Sequence, residues 1–145
     1  MLRKHRKTVR HAYEEGKNFM NRDNKSVGTT GIRGTEDRRF RSFFGCPAEV
    51  FICVWEMIVQ HQLIPPGGHF THLFWAFLFM KLYPKNEIEF CGLLGGIDPK
   101  TMRKWVWPFI RAVAELHFVV VSKMSLLVEL SFRIVSLKIL FLDSV

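Results

Sequence analysis

The sequence is short of acids, of paired cysteines and of any leader-like apolar run, and each shortage removes a class of function. Asp and Glu number 13 against 21 Lys and Arg in 145 residues, for a net charge of +8. Two-metal phosphoryl chemistry needs several carboxylates converging on ions ~4 Å apart. The acids here are too few and too scattered for that, which excludes a complete nuclease or polymerase; no enzymatic activity and no cofactor are expected. Cys46, Cys53 and Cys91 are odd in number and widely spaced. They exclude a disulfide framework and predict reduced, buried thiols. His61, His69 and His72 come without a Cys-x-x-Cys pair, and a structural zinc needs four ligands with tetrahedral reach; no metal is expected. Ser42, Ser122 and Cys46 lack a sequence-defined base or oxyanion motif. The basic start, residues 1–7, is followed by no apolar h-region, so no secretory signal is expected. Such a run fits a nuclear-localisation or nucleic-acid patch, and the nucleus is the expected compartment.

What is present is a large apolar fraction with its charge at one end. Hydrophobic residues make up 48 % of the chain, with 14 Phe and 4 Trp, enough for one real core. Residues 1–41 carry 12 basic and 5 acidic residues, whereas 42–145 carry 9 and 8. That asymmetry predicts a basic flexible arm and linker over 1–36, including Arg3, Lys4, Arg6 and Lys7, attached to a nearly neutral folded part. Gly28, Gly31 and Gly34 mark the linker; no strand precedes them and no Lys-Ser/Thr pair follows, so they do not form a phosphate cradle.

Apolar spacing predicts an all-α fold, a small helical bundle over 37–116. Residues 37–44 read as a short helix bearing Phe40, Phe43 and Phe44, stopped by Gly45. Pro47 opens a second helix, with Val50, Val54, Met57 and Ile58 on its apolar face and Trp55 beside them. Pro65-Pro66-Gly67-Gly68 breaks the chain. Thr71 is placed to cap a third helix, apolar almost all round to Tyr83, which belongs at the centre of a bundle. Its apolar run is too short for a membrane, which takes about 20 residues. Asn86 caps a fourth helix, with Glu89 at the capping-box position. Asp98-Pro99 opens a fifth to about Leu116, in the favoured cap-then-proline order. Met102, Trp105, Val106, Phe109, Ile110, Val113 and Leu116 form its apolar side, and Pro108 should kink or interrupt it.

Beyond Leu116 the spacing mixes strand-like and helix-like periods, and residues 117–145 form an apolar tail of uncertain structure. Lys123, Glu129, Arg133 and Lys138 would each cost ~2.5–3.5 kcal/mol at the centre of a membrane helix, so no membrane association is expected. Self-association or a protein partner on this tail is the alternative.

Residues 87–107 carry the functional expectation. A short helix, a Gly turn and a helix opening Pro-Lys-Thr-x-Arg-Lys fit a helix-turn-helix-like unit, whose second helix enters the major groove of double-stranded DNA by its N-terminal residues. Lys100, Thr101, Arg103 and Lys104 would then meet phosphates or base edges, with Trp107 and Arg111 on the same side. The bland alternative is equally concrete: any amphipathic helix in a bundle has a solvated polar side, and Trp107 there can cover a protein partner.

Three segments are similar to the N-terminal region of Harbinger-type DDE transposases: Phe40-Arg41-Ser42-Phe43-Phe44-Gly45-Cys46-Pro47, the Leu73–Pro84 stretch ending Phe79-Met80-Lys81-Leu82-Tyr83-Pro84, and residues 95–110 from Gly95-Gly96-Ile97-Asp98-Pro99. The resemblance spans about 37–116. It implies a helical, helix-turn-helix-like region preceding a ribonuclease-H-like catalytic domain whose three acids lie further on. No residue here takes their place: after the matched region only Glu129 and Asp143 remain, and the family's continuation is lost beyond Val121. The expectation is a transposase-derived DNA-binding module without nuclease activity; the alternatives are a helical interaction module or a truncated, non-functional fragment of a transposable-element gene.

Overall fold

The computed structural model describes the backbone of residues 6–23 and 33–142, and the side chains of residues 6–20 and 36–121. Among these, six helices and no strand are present: α1 (Val9–Asp23), α2 (Arg33–Phe44), α3 (Ala48–Gln60), α4 (Phe70–Leu82), α5 (Glu87–Leu93) and α6 (Pro99–Leu142). The all-α expectation holds. The chain divides into two compact units, Met1–Val113 and Ala114–Val145, the second being the C-terminal stretch of α6.

The core of the first unit is aromatic. Phe40, Phe44, Phe51, Trp55, Phe74, Phe90 and Phe109 are each essentially inaccessible to solvent. They meet mostly edge to face or tilted, as in Phe51–Phe74 (4.2 Å between centroids) and Phe44–Phe74 (5.1 Å), the geometry that ring quadrupoles favour. Helix α4 supplies the centre: Phe70, Leu73, Phe74, Trp75, Ala76 and Leu78 are all buried, as an all-round apolar helix requires.

Several local expectations change. The basic arm over 1–36 is interrupted by α1, whose Ala12, Phe19 and Met20 are buried. Phe19 stacks on Phe74 at 5.7 Å and Tyr13 meets Phe40 edge-on at 5.6 Å. Ala12, Phe19 and Met20 are irregularly spaced in the sequence, and α1 uses only this narrow stripe. Gly16 completes that stripe: a Cβ there would lie 2.9 Å from the Phe40 ring, so only glycine permits the approach. The Lys17–Glu36 ion pair (2.8 Å) joins α1 to α2 at the surface. Helix α2 begins at Arg33, inside the expected linker, and takes Gly34 into the helix; Gly28 and Gly31 lie outside the described residues. In α3 the buried side is Phe51, Ile52, Trp55 and Ile58 rather than one centred on Val50 and Val54. The helix is turned by about one residue because Phe51 and Trp55 remove more apolar area from water than valines do. Val50 is left exposed, and so is Cys53, which overturns its expected burial. Cys91 is buried and Cys46 half-buried; burial pushes the Cys46 thiol up to about 11, which keeps it protonated.

The third-helix cap also moves. α4 starts at Phe70 with His69, not Thr71, at the cap, and the His69 amide donates to His72 Nδ1 at 3.0 Å. Asn86 caps α5 as expected, its Oδ1 accepting from the Ile88 amide at 2.9 Å. Helix α6 runs through Pro108 without interruption. Proline removes the amide that would bond the Lys104 carbonyl, but Lys104 is exposed and water can serve that oxygen instead. The helix continues to Leu142, so residues 117–142 of the tail are helical. Among the described residues no single helix is long and apolar enough to cross a membrane.

Candidate nucleic-acid interface

The residues expected to contact DNA cluster at the start of α6, and the turn that launches this helix is built locally. The Leu94 amide bonds the Phe90 carbonyl (3.2 Å) and the Gly96 amide bonds the Cys91 carbonyl (2.9 Å), closing α5. Gly96 sits at φ +78°, in the left-handed region that a side chain would strain. Asp98 then caps α6: Oδ2 accepts from the Thr101 amide at 2.9 Å and Oδ1 from the Thr101 hydroxyl at 2.7 Å. The Thr101 hydroxyl, followed by its amide, holds the Asp98 carboxyl below its ordinary pKa.

This cap alters the expected inventory. Thr101 is half-buried and gives both its donors to Asp98, so it is not free to address a base or a phosphate. Lys100, Arg103, Lys104 and Arg111 are exposed, and Trp107 is 49 % exposed. At spacings of three and four, Lys100, Arg103, Trp107 and Arg111 follow one another along one side of the helix, with Lys104 next to them. Residues 99–113 contain no Asp or Glu, so the four cations of this stretch meet no acid from within it.

Arg103, Lys104 and Trp107 are each held differently. Arg103 lies 3.8 Å from the Glu87 carboxylate of α5 and its Nε donates to the Pro99 carbonyl at 3.3 Å. Both partners of that ion pair are about half exposed, so it is a weak contact that an incoming anion can replace. Lys104 Nζ lies 5.0 Å from the centroid of the Trp105 ring. Trp107 is braced from below by Phe79 at 5.3 Å, and Phe79 by Phe90 at 5.3 Å. The indole is thereby fixed while much of its surface stays open.

The arm residues sit apart from this group in the sequence. Arg3 and Lys4 lie outside the described residues; Arg6 is exposed, and Lys7 Nζ rests 5.5 Å from the Phe70 ring centroid.

Sequence spacing did not reveal what supports the cationic side from beneath. Trp105, expected in the core, is half-buried and lies flat on His72, 4.3 Å between centroids and 5° from parallel. His72 also meets Trp75 edge-on at 4.8 Å. Burial first, and then neighbouring His69, push the His72 imidazole down to about 4, so it is neutral at physiological pH. Nothing short of the fold brings residue 72 to residue 105. The only local hint is the His69–His72 spacing of three.

Away from this face, an open cleft of about 310 Å³ is lined by Asp37, Arg38, Arg41, Pro47 and Glu49, a mixture of both charge signs. Among the described residues no three His, Cys, Asp or Glu side chains gather as a metal site. No family model, no curated protein and no solved structure matches this chain.

Proposed function

We propose that the first unit is a DNA-binding module that holds duplex DNA through the exposed side of α6 and does not cut it. The observation that supports this reading is the acid-free stretch 99–113, with Lys100, Arg103, Lys104 and Arg111 exposed around a braced Trp107. Four exposed cations along one side of the helix match the negative charges of a phosphate backbone, whose neutralisation releases condensed counterions. With Thr101 committed to the cap, the reading favours backbone contacts over base readout, and low sequence preference follows. The helix-turn-helix-like use of α5 and α6, the derivation from a transposase and a nuclear site of action extend the sequence resemblance and stand as parts of the same proposal. Arg6 and Lys7 add charge from the N-terminal side.

Titration of a labelled duplex at several salt concentrations tests the proposal. With about four phosphates neutralised, affinity should fall roughly 10²-fold between 50 and 200 mM salt. Replacing Arg103 and Lys104 by alanine should flatten the slope of log affinity against log salt by about two units. No binding at low salt by the folded protein, or an unchanged slope in the double variant, would sink it.

A second reading is favoured by one observation, the half-exposed Trp107. Tryptophan is a common anchor of protein interfaces, and this one is pre-positioned by Phe79. Binding that tolerates salt but is lost in Trp107→Ala would select a protein partner over DNA.

A further inference from the structure

We infer that Trp107 is a stacking platform for an unpaired base, so that the DNA held most tightly is a duplex interrupted by a single-stranded stretch. The inference rests on the reading of α6 as a DNA-binding face and adds to it what the indole does there.

The fold treats the four tryptophans differently. Trp55 and Trp75 are buried. Trp105 is half-buried, and its ring is covered by His72, 5° from parallel at 4.3 Å. Trp107 alone keeps about half of its surface open, at 49 %. Among the described residues its ring contact is Phe79, 5.3 Å away and inclined at 64°, so no ring lies parallel to the indole. Phe79 in turn meets the buried Phe90 at 84°. A chain of rings rooted in the core therefore steadies Trp107, while the offset-stacked arrangement that aromatic rings favour is left without a partner.

The neighbours of the indole say what fits it. Arg103 precedes Trp107 by four residues and Arg111 follows it by four, so each stands about one helical turn away, roughly 6 Å along the axis. Lys104 and Lys100 lie three and seven residues before it, and all four cations are exposed. Lys100, Lys104 and Arg111 make no ion pair among the described residues; Arg103 has its weak contact with Glu87. An aromatic ring with cations before and after it is the combination that single-stranded nucleic acid uses, a base on the ring and the flanking phosphates on the cations. An apolar protein surface could cover the indole but would leave those cations without partners. Inside an intact duplex both faces of a base are covered by its neighbours, so only an unpaired base can reach Trp107. Stacking accepts any base, which agrees with a helix start whose Thr101 is committed to Asp98 and reads no base edge.

Three DNAs of one length test the inference: a full duplex, the same duplex with a short gap spanned by thymidines, and the same gap spanned by abasic nucleotides. The two gapped forms match in phosphates and in flexibility, so the difference between them is the base alone. The wild type should bind the thymidine gap roughly tenfold more tightly than the abasic gap. Trp107→Ala should remove that preference and keep the salt slope, because all four cations remain. Trp107→Phe, which restores a ring, should recover most of the preference. Equal affinity of the wild type for both gaps, still falling steeply with salt, would overturn the stacking role and leave the DNA reading standing. An undiminished preference in Trp107→Ala would overturn it as well, since the base would then be held elsewhere and Trp107 left to a protein surface. No binding of any of the three at low salt would overturn the DNA reading and this inference together.

Discussion

At the scale of single residues, His72 is the group whose environment departs furthest from its intrinsic chemistry. Its Nδ1 accepts from the His69 amide, which places the ring proton on Nε2, and its face is covered by Trp105. Adding a proton would turn Nδ1 into a donor facing a donor, beside His69 and with Lys104 already at the Trp105 ring. The folded pKa of about 4 lies below the ordinary histidine value of 6.5, so the unfolded chain binds more protons between those values. The contribution of neutral His72 is therefore fully present above pH 6.5 and is lost as pH falls towards 4. Thermal melts across this range should show a falling Tm in the wild type and a flatter profile in His72→Phe. An equal pH slope in both proteins would show that His72 is not the titrating group. A second residue-scale expectation concerns Gly16. The smallest side chain at this position meets Phe40 at 2.9 Å, so Gly16→Leu should overpack the α1–α2 contact by about 1–3 kcal/mol, read by urea denaturation.

At the scale of elements, the helix boundaries divide into those written in the local sequence and those made by contacts. Asn86 and Asp98 act as the caps their positions announced, because a cap needs only a side-chain oxygen and amides two or three residues away. Asn86→Ala should cost about 1 kcal/mol in chemical denaturation, with the fold retained. Asp98→Ala should lower Tm and also release the Thr101 hydroxyl and amide; if helix-start geometry matters to ligand binding, duplex affinity will change with it. The cap of α4 escaped notice because histidine is an uncommon capping residue and His69 works through its amide on His72 rather than through a hydroxyl. α1 is only half legible for another reason: a short helix over His11–Met20 can be read in the sequence, but not its place in the core. Its apolar stripe is only Ala12, Phe19 and Met20 with Gly16 between, too sparse to announce a buried face until the aromatic surface of α2 and α4 is opposite. Removing residues 1–23 should therefore lower Tm, whereas loss of a flexible arm would leave it unchanged; comparing melts of the full and shortened chains decides between the two.

At the scale of the whole molecule, charge and apolar surface are segregated. The first unit holds all the net charge and an aromatic core, and the second is neutral and apolar. Under the proposed function, the salt dependence of binding belongs to the first unit alone. Truncation after residue 113 should leave the salt slope of duplex binding per chain unchanged. If the shortened protein loses the slope itself, the cationic side of α6 is not the binding surface.

The sequence by itself determined the helical class, the caps at Asn86 and Asp98, the central place of α4 and the exposed cationic side of α6. These depend on residue spacing and on bonds spanning two to four positions, which a linear string contains. It placed the cations correctly on the solvent side but could not say how each was engaged. Only the tertiary structure decided that Thr101 is consumed by its cap, that Arg103 leans on Glu87, and that Trp105 leaves the core to lie on His72. It alone also turned α3 to bury Phe51 and Trp55, and recruited α1 into the core. The physical reason is common to all of these. Which of several apolar or polar faces a helix uses is settled by the surface it meets, and that surface is assembled from residues far away in the chain.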